Sequence, residues 1–169
     1  MKKLILLITA ALLVVSVNEA FAQKKKKPCK NLFADLEAGT INKVKASQPM
    51  NVVKKKLPCF TGDSEEGGSM NCGGGVFYID NDFFFYTGRD YIEIRSDYNG
   101  QLSDDVMGKD KSIIHSKYGE PDRKLKGSEG EVLLYKKKYG TLRLYFGEDG
   151  RVMEIGMHAV NPKSVELCE

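Results

Sequence analysis

Ser64 closes the triplet Gly62-Asp63-Ser64, a setting in which a hydroxyl can serve as a nucleophile. Such a serine attacks only when a histidine takes its proton and an acid orients that histidine. The chain has two histidines, His115 and His158. His115 borders the apolar stripe of a predicted helix and His158 ends the last predicted strand. Neither has a partner at a spacing that marks a general base. Asp80-Asn81-Asp82 offers oxygen ligands for calcium but lacks the glycine and the distal glutamate of a calcium loop, and it reads as a turn. Glu65 and Glu66, next to glycines, read as solvated loop charges. No metal site, no cofactor and no catalytic residue are expected.

The Gly62-Asp63-Ser64 triplet resembles the nucleophile block of the GDSL-type lipases and esterases. The late Asp-x-x-His of that family is missing, because Ile155 stands three residues before His158 and Ser112 three before His115. An envelope serine hydrolase using Ser64 is therefore the alternative reading of this chain.

The cysteines Cys29, Cys59, Cys72 and Cys168 are even in number, which in an exported chain points to disulfides, with three pairings open. Cys59 with Cys72 is favoured, because it clamps the polar, flexible stretch from Thr61 to Gly68. Cys29 with Cys168 is then left to join the two ends. Zinc needs paired cysteines or histidines at short spacing, and none of the four has one within four residues.

Export itself is read from the first residues. Lys2 and Lys3 precede an apolar stretch from Leu4 to Val17 and then Ala20-Phe21-Ala22, the pattern of a secretory signal cleaved after Ala22. The stretch is short of the roughly 20 residues that span a bilayer, so no stable membrane span is expected after cleavage. No cysteine sits at the cleavage point to take a lipid. The expected location is periplasmic or secreted.

The formal net charge is +3 over 169 residues and favours no class of partner. Lysines cluster at Lys24 to Lys27, Lys54 to Lys56 and Lys136 to Lys138, where an anionic surface could sit, although a solvated tail and two solvated edges are the favoured reading. No nucleic-acid recognition motif is present. With the signal removed, the length fits one domain with a real core.

The elements that must position these residues repeat. Val53 and Leu57 lead to Pro58, then an apolar run from Val76, then Ile92 and Ile94, then a turn at Asn99-Gly100. Ile114 and Tyr118 lead to Pro121, then an apolar run from Val132, then Leu142 and Leu144, then a turn at Asp149-Gly150. Residues 1–22 are thus a signal peptide, 23–39 a basic tail with a short helix, 40–105 a first α/β repeat, 106–160 a second, and 161–169 a C-terminal tail. The expected fold class is α+β: two tandem α-β-β-β units forming one antiparallel sheet with helices on one face. Ile92 and Ile94 alternate with Tyr91, Glu93 and Arg95, and Leu142 and Leu144 with Arg143 and Tyr145. The face opposite the helices should carry Tyr91, Glu93, Arg95, Tyr135, Arg143, Tyr145, Glu154 and His158, and tyrosine with arginine is what binding hot spots are made of. Two of Phe83-Phe84-Phe85-Tyr86 should also point to that face, covered by the 61–75 loop or by a partner.

The run Gly108 to Ile114, Tyr118-Gly119-Glu120-Pro121, Leu134-Tyr135, Leu142 to Phe146, Asp149-Gly150 and Val152 resembles the helix-then-three-strand module of the beta-lactamase inhibitor protein-like and SmpA/OmlA envelope protein superfamily. The resemblance spans residues 40–158. It implies a non-enzymatic fold that binds other proteins through a concave sheet face. The lipid-attachment cysteine of the SmpA/OmlA pattern is absent, and no inhibitor-specific residues match. The leading expectation is an exported module that binds an envelope or extracellular protein through its sheet face and a Cys59-Cys72 loop. A structural matrix protein is the remaining class.

Overall fold

The structure is a computed structural model that describes residues 29–65, 74–128 and 130–167. The predicted signal at 1–22, the lysines from Lys24 to Lys27, Cys72 and Cys168 lie outside the described residues. In chain order the elements are β1 (Phe33–Asp35), β2 (Thr40–Ile41), β3 (Val44–Lys45), α1 (Met50–Lys56), β4 (Gly62–Ser64), β5 (Gly75–Tyr78), β6 (Phe83–Tyr86), β7 (Tyr91–Arg95), β8 (Gln101–Leu102), α2 (Lys111–Tyr118), β9 (Arg123–Lys126), β10 (Glu131–Lys137), β11 (Gly140–Phe146) and β12 (Val152–His158). Among the described residues the class is α+β, with two α-helices and mostly sheet.

Eight strands form an antiparallel sheet in the order β4-β5-β6-β7-β12-β11-β10-β9. Each stretch, β4 to β7 and β9 to β12, runs as a meander, and the two join where β7 pairs with β12. Alternation drives this. Ile92 and Ile94, Ile155 and Met157, Leu142 and Leu144, and Phe83 and Phe85 all point to one face and are fully buried. Val53 of α1 and Ile114 of α2 enter the same core, as do Ala34 and Ile41.

The single sheet expected from the sequence is accompanied by a second one, β3-β2-β1-β8, in which β1 and β8 run parallel. It stands where a short helix was expected at 31–39. Leu32, Ala34 and Leu36 are buried while Phe33 is 42% exposed, a period of two and not of 3.6. Asn31 takes a left-handed φ of 54° that turns the chain into β1. The turn at Asn99-Gly100 likewise differs from its counterpart. Asp149-Gly150 closes the hairpin between β11 and β12, whereas Asn99-Gly100 delivers the chain to β8 in the small sheet.

The disulfide joins Cys29 to Cys59, with Cα atoms 5.3 Å apart, and so replaces the expected pairs of Cys59 with Cys72 and Cys29 with Cys168. Tertiary contacts select it. The Oδ1 of buried Asn81 accepts from the Cys29 amide at 3.2 Å, while its Nδ2 donates to Asn99 Oδ1 at 2.8 Å. On the other side, Tyr78 donates to the Leu57 carbonyl at 2.9 Å and fixes the end of α1 just before Cys59. Asp80-Asn81-Asp82 is thus a structural turn. Among the described residues no helix is long and apolar enough to cross a membrane.

Candidate functional site

The neighbours in sequence of the buried isoleucines of β7 point away from the core, and the register carries their face across the sheet. Tyr91 stands between Tyr86 and His158, Glu93 between Phe84 and Gly156, and Arg95 beside Glu154; Arg143 faces Gly156 and Tyr145 faces Glu154. The structure therefore brings Tyr91, Glu93, Arg95, Arg143, Tyr145, Glu154 and His158 together on one face. Tyr135 is the exception. It pairs with Leu142 on the core face, is 3% exposed, and packs its ring 5.4 Å from that of Tyr118. Val132, Leu133, Leu134 and Tyr135 are all buried, so no polar alternation marks the phase of β10.

The centre of this face is closed and not open. Tyr91, Glu93, Arg143 and His158 are buried, Tyr145 is half-buried and Arg95 is exposed. Arg143 Nη2 bonds Glu154 and lies 3.6 Å from Glu93 Oε2, and the other oxygen of Glu93 accepts from Arg95 Nε at 2.7 Å. Two cations and two carboxylates thus share one chain of charges that runs from buried Arg143 to the exposed Arg95. Burial raises the Glu154 carboxyl against the pull of Arg143.

Gly156 makes room for this. A Cβ at that position would come within 2.7 Å of Arg143 Nε and 3.0 Å of His158 Nε2. Among the described residues, neither of those nitrogens has a hydrogen-bond partner. Burial, reinforced by the Arg143 and Arg89 guanidinium groups, holds the His158 imidazole well below its ordinary range, so the ring is neutral at pH 7.

Aromatic rings continue the face toward β5. Tyr86 stacks on Tyr91 at 4.5 Å. Phe77 and Phe84 lie 6.0 Å apart, and Arg95 sits 4.4 Å above the Phe84 ring. Phe83 and Phe85 are buried in the core while Phe84 and Tyr86 are half-buried on the opposite face, which is the alternation expected of that run.

Over the other half of the face runs the C-terminal segment 159–167. It is held by Thr141 Oγ1, which donates to the Val160 carbonyl at 2.7 Å, and by Arg123 Nη1, which lies 3.1 Å from the carbonyls of Pro162, Lys163 and Val165. Val165 is buried against Val132 and Leu134. Between this segment and the sheet lies a cleft of about 120 Å³ lined by Arg89, Tyr91, His158, Ser164 and Glu166, among others. Val165 and Leu167, two residues apart in an otherwise polar tail, are the only mark of this contact in the sequence; nothing there marks Arg123, Thr141 or Arg89.

Ser64 lies on the edge strand β4, four strands from His158 on β12, a separation of roughly 19 Å at the usual strand spacing. Its neighbour Asp63 is bound to Lys54 at 2.5 Å, and His115 stands beside Glu120. The hydrolase triplet therefore does not meet His158. Among the described residues, no group of three or more His, Cys, Asp or Glu is placed to hold a metal ion. No family model, no curated protein and no solved structure matches this chain.

Proposed function

We propose that this chain is an exported, non-enzymatic protein-binding module, of an inhibitor, immunity or envelope-maintenance type, that presents the polar face of its large sheet to an envelope or extracellular protein. The observation that carries this reading is the pairing of a rigid base with an accessible rim. Tyr91, Glu93, Arg143 and His158 are packed and preorganised, while Arg95 and the half-buried Phe77, Phe84 and Tyr86 beside them meet solvent. Aromatic and arginine side chains held on rigid strands are what interface hot spots use, since little side-chain freedom remains to be lost on docking. The two helix-plus-meander stretches that meet at β7 and β12 support reading the chain as two tandem units of the beta-lactamase inhibitor protein-like plan. The disulfide supports export.

The test is capture of cross-linked partners from an envelope extract by the oxidised protein, repeated with Arg95→Glu and Phe84→Ser combined. Both residues lie on the rim, and a cooperative melt of the variant checks that the fold survives the loss of the Arg95 bond to Glu93. Loss of a specific partner is expected; an unchanged set of partners ends the sheet-face reading. The alternative, a serine hydrolase using Ser64, predicts turnover of a model ester that Ser64→Ala abolishes, and no turnover by the intact protein removes it. A structural matrix protein would self-associate at modest concentration, where the binding module stays monomeric.

A further inference from the structure

The C-terminal segment is bound to the sheet in the manner of a ligand. Its chain leaves β12 at His158, makes one turn over Pro162–Ser164 capped by Asn161, and then lies across β10 toward β9. The Ala159 amide donates to the Asp90 carbonyl at 2.9 Å, and beyond it the hydrogen bonds that tie the segment to the sheet, among the described residues, are made to its backbone carbonyls. Thr141 takes Val160, and one nitrogen of Arg123 is shared among Pro162, Lys163 and Val165. Backbone contacts of this kind hold a peptide without reading its sequence. Among the described residues, the side chains of Val165, Glu166 and Leu167 also meet the sheet and its connections. Val165 fills the apolar patch of Val132 and Leu134, with Leu125, Tyr145 and Leu167 around it. Glu166, with its side chain 84% exposed, reaches Arg89 at 3.5 Å.

We infer that the β9–β12 half of the polar face is a groove for an extended peptide of the apolar-acidic-apolar type, occupied in this structure by the chain's own Val165-Glu166-Leu167. The inference rests on the sheet-face reading and gives it a second, covered half with a stated ligand chemistry. Charge fits the occupant: Arg89 and Arg123 lie along the groove, one facing the acidic side chain and the other the carbonyl oxygens. The anchoring groups Arg123, Thr141 and Arg89 belong to the sheet and its connections and not to the segment, so they remain in place for a peptide supplied in trans.

The test uses a fluorescein-labelled peptide with the sequence of residues 159–167 and the full oxidised chain carrying Val165→Asp, which sets a charge against Val132 and Leu134 and frees the attached segment. Fluorescence polarisation should show binding to Val165→Asp at least tenfold tighter than to the unaltered chain. Adding Arg123→Ala to Val165→Asp should cost at least tenfold. If Val165→Asp melts cooperatively yet takes the peptide no better than the unaltered chain, or takes it equally well after Arg123→Ala, the groove does not exist. Should Val165→Asp fail to fold, Arg123→Ala alone decides: trypsin should cut after Lys163 at least tenfold faster than in the unaltered chain, and equal rates overturn the inference. A chain that loses its captured partner with Arg95→Glu and Phe84→Ser but ignores the peptide refutes the groove alone. One that takes the peptide but keeps every captured partner upholds the groove and refutes the sheet-face reading.

Discussion

The rings of Tyr91 and His158 lie 4.7 Å apart and 11° from parallel, so the imidazole is clamped between a tyrosine face and the Gly156 gap beneath Arg143. A histidine held neutral in the fold but free to charge when unfolded makes stability fall with acid. The contribution is intact above the unfolded value of about 6.5 and is lost as the pH drops below it toward the lower folded value. Between pH 7.5 and pH 5.5 this amounts to about 1.4 kcal/mol for one such group. His158→Phe keeps the stack and removes the titration. Urea midpoints of the two proteins should therefore diverge as pH falls, with the variant the flatter; parallel curves would show that His158 is not buried neutral.

Arg143 serves two carboxylates at once, Glu93 and Glu154, with its own side chain 5% exposed. Removing the shared cation takes from Glu154 its hydrogen-bonded partner and leaves Glu93 only the exposed Arg95. Arg143→Met should destabilise the protein by about 3–5 kcal/mol in urea unfolding. Because the groups form one network, Glu154→Gln in the same chain should cost far less than it does alone, leaving a coupling of roughly 0.5–3 kcal/mol in the double-mutant cycle. Strictly additive losses would mean that the charges do not act together.

Gly156 lies on the polar face where an added methyl group would meet Arg143 and His158. Gly156→Ala should cost about 1–3 kcal/mol through overpacking against Arg143 and His158. Loss of the acid sensitivity described above should accompany it if His158 is pushed toward solvent, and pH-dependent unfolding of the variant reads both effects. A cost under about 0.5 kcal/mol would place Arg143 and His158 elsewhere.

How much of this was legible depends on whether a strand buries one side or two. β7 and β11 alternate Ile92 and Ile94 with charged and aromatic neighbours, and Leu142 and Leu144 with Arg143 and Tyr145, and their phase follows from the sequence. β10 is buried on both sides because the C-terminal segment covers its second face, so Val132 to Tyr135 carries no phase and its pattern does not reveal that Tyr135 faces the core. The small sheet hid behind the short spacing of Leu32, Phe33 and Leu36, which suits a helix as well as a strand. The rim aromatics Phe84 and Tyr86 could be inferred because four aromatic residues in one strand cannot all face the same core. Arg123 could not, since its role comes from a segment that returns from some 40 residues away to lie against it.

The pairing of Cys29 with Cys59 depends on the same kind of return. A polar loop favours the nearest cysteine, Cys72, but proximity in the fold is decided by Asn81, which holds the Cys29 amide beside the end of α1. Digestion of the oxidised protein without reduction should yield a peptide linking Cys29 to Cys59, and Cys72→Ala should leave that link unchanged. The sequence separation of 30 residues makes the bridge worth roughly 3–4 kcal/mol in the chain-entropy description. Cys29→Ser with Cys59→Ser should lower the urea stability by that amount. A linked peptide carrying Cys59 and Cys72 would instead restore the clamped loop and remove the role given to Asn81.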